Sequence, residues 1–70
     1  MISVFKTSVT NITEIETLKP LFDKHLENAK WNFDLADCDN ILRIDSQKEI
    51  AEITINLLQD NGYKCEELPD

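Results

Sequence analysis

Lys30-Trp31-Asn32-Phe33-Asp34-Leu35-Ala36, then Asp37-Cys38-Asp39-Asn40, then Ile41-Leu42-Arg43-Ile44, reads as two strands joined by a turn. Trp31, Phe33 and Leu35 alternate with Asn32 and Asp34. That period of two puts the apolar side chains on one face of a strand. The Asp/Asn run between the two segments suits a turn, because short polar side chains bond back to their own backbone. The stretch is therefore a β-hairpin with one apolar face, and its flanks must supply whatever covers that face.

Toward the N-terminus, Ile2 to Val9 is a strand candidate with Phe5, Thr7 and Val9 on one face and Lys6 and Ser8 on the other. Asn11 and Glu14 follow at the spacing of a capping box, in which each side chain satisfies a free N–H of the first helical turn. Thr13 with Glu16 offers the same device two residues later. The helix then predicted runs to about His25 or Leu26, with Ile15, Leu18, Phe22 and Leu26 on its buried face and Leu21 beside them. Pro20 falls inside it and predicts a kink, since proline lacks the N–H of one backbone bond.

Toward the C-terminus, Asp45 or Ser46 is the expected cap of a second helix, Gln47 to about Asp60. Ile50, Ile53, Leu57 and Leu58 form its apolar stripe, with Ala51 at the edge. Ile53-Thr54-Ile55 alone would also suit a strand, but the length of the segment and its caps are helical. Asn61-Gly62 is a helix stop, with glycine supplying the left-handed residue, and Tyr63 to Leu68 is a short last strand.

The order β-α-β-β-α-β predicts an α+β, ferredoxin-like sandwich, a four-stranded antiparallel sheet with both helices on one face and the other face largely wet. Residues 1–70 are expected to make one domain. Apolar residues are 41% of the chain, enough for a compact core, and one glycine and two prolines leave no room for a flexible linker. The net charge of −7, from 14 acidic and 7 basic residues, disfavours nucleic acid and anionic membranes. Basic proteins or cations are the partners such a field attracts, although an acidic surface also serves solubility alone.

Met1-Ile2-Ser3-Val4-Phe5 has no basic segment leading into a long apolar run, so a cytoplasmic location with reduced thiols is expected. Two cysteines, Cys38 and Cys65, are too few for a disulfide framework.

The chain resembles the heavy-metal-associated domains, which are metallochaperone-like. Val9 matches the apolar residue that ends their first strand. Asn11 and Glu14 stand where their Cys-x-x-Cys pair stands, and Ile15, Leu18 and Phe22 match the apolar offsets of the helix. Gly62-Tyr63 matches the Gly-Tyr before their last strand, and Trp31-x-x-Asp34 and Ile41-Leu42 are similar to strands of one branch. The resemblance implies the same fold with the metal-binding thiols lost. One amide and one carboxylate replace two thiolates, a poor donor set for a soft ion.

No metal or other cofactor is therefore expected, and Asn11 and Glu14 read as helix caps. A site rebuilt from Cys38 or Cys65 is the alternative. The expected topology puts these two on opposite sheet edges, roughly 14 Å apart, against the limit of about 7 Å between the Cα atoms of a disulfide. Cys65 reads as a packed residue, Cys38 as an exposed thiol between two acids, and His25 as a helix-end histidine remote from both. Trp31 reads as a core or sheet-face aromatic, with the core as the default.

Glu14, Asp37, Asp39, Asp60, Glu66 and Glu67 are expected at one end of the sheet, as an acidic rim. No glycine-rich phosphate loop or nucleophile–histidine pair points to an enzyme. The reading is a non-enzymatic interaction module with an unidentified protein partner, for which the net charge favours a basic one, present as a monomer or weak dimer. The open sheet edges and wet face are the surfaces suspected.

Overall fold

The computed structural model describes residues 2–36 and 40–69. The chain runs β1 (Ile2–Thr7), α1 (Ile12–His25), β2 (Lys30–Asp34), β3 (Ile41–Asp45), α2 (Ala51–Asp60) and β4 (Cys65–Leu68). The strands form one antiparallel sheet in the order β2-β3-β1-β4, the ferredoxin-like arrangement read from the element order. Asp37, Cys38 and Asp39, on which the hairpin turn and one thiol were placed, lie outside the described residues.

Register decides which side chains meet. Phe5 stands opposite Leu42 and Glu67, Ser3 opposite Ile44, and Thr7 opposite Cys65. Trp31 and Phe33 stand opposite Ile44 and Leu42. Opposed residues of an antiparallel pair share a face, so one side of the sheet presents Phe5, Leu42, Ile44, Cys65, Trp31 and Phe33. Leu18, Phe22 and Leu26, from α1 and its C-terminal cap, and Ile50 and Leu58, at and within α2, join these residues in one buried core.

An aromatic cluster fastens α1 to the hairpin. The Phe22 ring lies 4.9 Å from that of Trp31, edge to face, and 6.0 Å from that of Phe33, stacked. Such pairs add about 0.5–1.5 kcal/mol beyond the area they bury.

The ends of the helices follow local chemistry. Helix α1 runs through Pro20 as a continuous element. Both Pro20 and Glu16, whose carbonyl would accept the missing bond, are exposed, so water can satisfy that oxygen. Helix α2 ends in a complete Schellman motif. Gly62 has φ +86, its N–H donates to Gln59 O at 3.0 Å, and Tyr63 N–H donates to Leu58 O at 2.9 Å.

The start of α2 corrects the expected cap. The helix begins at Ala51, after Ile50, with no side-chain cap bond, rather than at Gln47 after Asp45 or Ser46. Ser46 Oγ instead accepts from Lys48 N at 3.1 Å, and Glu49 Oε1 accepts from Ala51 N at 3.0 Å. These local bonds turn residues 46–49 back on themselves. Ile50 is 6% exposed, so burial rather than a polar cap anchors the helix start.

Candidate functional site

The β1–α1 turn is where the resemblance places metal-binding residues. Thr7 closes β1 by donating its hydroxyl to Asn40 O at 2.8 Å, and Ser8 exchanges bonds with Lys64, N–H to O at 3.1 Å and N–H to Oγ at 2.8 Å. The start of α1, the residue before β3 and the residue before β4 are thereby held at one end of the sheet. That common end is the one the topology predicted.

Within the turn, Asn11 is extended at φ −150, ψ 166, and its Oδ1 accepts from Glu14 N at 2.9 Å. Glu14 Oε1 accepts from both the N–H and the hydroxyl of Thr10, each at 2.9 Å. The reciprocal bond of the capping box thus goes to the residue before the cap. Thr10's donors and then the Tyr63 hydroxyl hold the Glu14 carboxyl below its ordinary pKa. Tyr63 is raised, first by desolvation and then by the Glu14 charge. A lowered carboxylate stabilises the fold above its unfolded pKa, so this cap weakens only as pH falls through the depressed value.

Cys65 faces the core at 9% exposure, opposite Thr7. Burial, with a smaller contribution from Glu67, pushes its thiol from 9.0 up to about 11. Strands β2 and β4 are opposite edges of the sheet, as the sequence implied, and Cys38 lies outside the described residues. Exposed His25 ends α1 beside Ile53, Asn56, Leu57 and Asp60 of α2, in a shallow depression of about 280 Å³. Among the described residues, no three His, Cys, Asp or Glu side chains converge as a metal site would require.

The Cys65 environment makes a prediction. In a Cys38→Ser variant, alkylation of the remaining thiol at pH 8 is expected to be about 100-fold slower in the folded than in the unfolded protein, since two pKa units separate their thiolate fractions. Because the raised pKa favours the folded thiol, the associated stability is present below pH 9 and lost as pH rises through about 11. Equal rates in the folded and unfolded protein would show that Cys65 is not packed as described.

The opposite face of the sheet is the one expected to be wet and suspected as a partner surface. It presents Lys6, Lys30 and Arg43 among Asp34, Asp45 and Glu66, three cations against three acids, so the chain's −7 resides elsewhere. Arg43 Nη1 lies 3.6 Å from Asp34 Oδ2 across the β2–β3 pair. Ile41 belongs to this face and is 5% exposed. Glu66 stands opposite Lys6 and Glu67 opposite Phe5. Successive strand residues point to opposite sides, so these two acids do not join one acidic rim. This paired surface has no motif signature and becomes visible only once the strand order is known.

Comparisons with protein-family models, with curated proteins and with solved structures found no match to this chain. No helix among the described residues is long and apolar enough to cross a membrane.

Proposed function

We propose that this chain is a small non-enzymatic interaction module, related to the heavy-metal-associated domains but without their metal chemistry. One observation carries the reading: one side-chain oxygen at each of the two positions of the lost thiol pair is engaged at the cap of α1. Asn11 Oδ1 holds Glu14 N–H and Glu14 Oε1 holds two donors of Thr10, so ligating an ion through these two atoms would compete with the helix start. The surfaces left for a partner are the charge-paired sheet face and the two sheet edges. The excess of acid elsewhere on the chain favours a basic partner.

The test is a Cu(I) and Zn(II) titration of the reduced protein against a competing chelator, beside the Cys38→Ser/Cys65→Ser variant. The expected result is no binding above the variant's background. Tight stoichiometric binding that disappears in the variant would replace this reading with a rebuilt thiol site. Tight binding that survives in the variant would overturn the metal-free reading through other ligands.

A further inference from the structure

The edge strand β2, Lys30-Trp31-Asn32-Phe33-Asp34, is complementary to itself when read backwards, and we propose that it pairs with the β2 edge of a second copy of this chain. The proposal rests on the interaction-module reading and names the first partner. Placing Asn32 opposite its own counterpart on a two-fold axis sets Lys30 against the second copy's Asp34, and Trp31 against its Phe33. Opposite charges and paired aromatics are the cross-strand neighbours that stabilise an antiparallel pair. A two-fold contact requires one patch that complements itself, and this pentapeptide meets that requirement at every position. The match holds whichever alternate set of backbone N–H and C=O groups β2 turns outward, because the axis passes midway between the two opposed Asn32 residues in both cases.

The aromatic match falls on the helix-covered face, where Trp31 and Phe33 are only partly buried against Phe22. A neighbouring strand would extend that cluster and cover more of both rings. The charge match falls on the opposite face, where Lys30 is exposed and Asp34 meets Arg43 only at 3.6 Å. A half-exposed bridge at that distance is worth little and exchanges readily. The other edge lacks the property. In β4, antiparallel self-pairing sets Glu66 or Glu67 against a carboxylate of the second copy, and like charges directly opposed destabilise the pair. One edge is thus suited to self-association and the other guarded against it.

Five residues per strand bury less than the roughly 1,200–2,000 Å² of a standard stable interface, so the dimer is weak and reversible. Sedimentation equilibrium from micromolar to about 1 mM protein should detect it. Physiological salt is the right condition, because the repulsion between two chains of −7 is then screened beyond about 8 Å. Trp31 emission should shift to the blue as concentration rises.

Asn32→Glu is the first variant. It gives Arg43 an acidic neighbour directly opposite in the β2–β3 pair, which protects the fold, and sets two carboxylates face to face on the dimer axis. Self-association should fall about tenfold or more. Lys30→Glu and Asp34→Lys should each be weaker than wild type alone, and a mixture of the two should form a heterodimer of about wild-type affinity, since both charge pairs return. A wild-type chain that stays monomeric throughout the range overturns the proposal. So does a dimer indifferent to Asn32→Glu, or a mixture that fails to recover. These outcomes are independent of the metal titration, so either reading can fail alone.

Discussion

Phe22→Ala is expected to remove most of the stability of this domain. The side chain is fully buried, its ring lies against those of Trp31 and Phe33 on β2, and it belongs to the same core cluster as Leu42 and Ile44 of β3. Truncating a buried phenylalanine costs about 3–5 kcal/mol, the lost transfer energy plus the cavity left behind. At about 0.05–0.15 kcal/mol per residue, a chain of this length has only about 4–10 kcal/mol in total. The melting temperature should fall by at least about 12 °C, because each kcal/mol moves a domain of this size by about 4–8 °C.

Ile12→Ala is the matched control. It deletes an apolar side chain from the same helix, but Ile12 is 68% exposed, and the change should stay within about 0.5 kcal/mol. The chain has a single tryptophan, so Trp31 emission reports this region directly. It should shift to the red in Phe22→Ala and not in Ile12→Ala. Equal effects of the two substitutions would mean that the aromatic cluster does not fasten α1 to the sheet.

The features legible in the sequence were those carried by a strong local period. Trp31 and Phe33 alternate cleanly, and the strand they predict ends at Asp34 instead of continuing to Ala36, where Asp34 Oδ1 takes the N–H of Ala36 and turns the chain. The α1 stripe and its Asn11 cap were legible for the same reason, since both depend on residues a few positions apart. The start of α2 was not. Ser46 has the chemistry of a cap, yet it bonds within the turn before the helix, and the burial of Ile50 that decides the matter is a tertiary effect.

Long-range facts were the least accessible. The Glu14–Tyr63 contact joins the two ends of the chain, and the grouping of Glu66 and Glu67 into one rim ignored the strand period that separates them. The self-complementarity of β2 was written in five consecutive residues, but it acquires meaning only when β2 is known to be an edge. Ile53, read into the apolar stripe of α2, is 47% exposed, and Thr54, four residues from both Ile50 and Leu58, takes the buried position instead. Its hydroxyl is buried in α2 with no hydrogen-bond partner among the described residues, a cost that only packing reveals.

Placing two thiols in the β1–α1 turn should create soft-metal binding. In the Cys38→Ser/Cys65→Ser background, Asn11→Cys/Glu14→Cys places one cysteine at the cap of α1 and one in its first turn. The bond from Glu14 N to Asn11 Oδ1 at 2.9 Å shows that a side chain at position 11 already folds back over that turn. Two thiolates there would lie beside free helix N–H groups and the positive end of the helix dipole, which lower cysteine pKa values and favour the metal-binding form. The substitution removes the cap, so the metal-free variant should lose about 1–2 kcal/mol. Cu(I) should more than return it, since a ligand at 100 times its dissociation constant adds about 2.7 kcal/mol. The readouts are competition against a chelator and the melting temperature with and without metal, with the starting background as reference. A rise in affinity of several orders of magnitude, with a metal-dependent rise in melting temperature, would mean that the turn has the geometry of the metal-binding domains the sequence resembles and that two side chains separate this chain from their chemistry. A variant that folds without gaining affinity would mean that the resemblance at this turn ends with the fold.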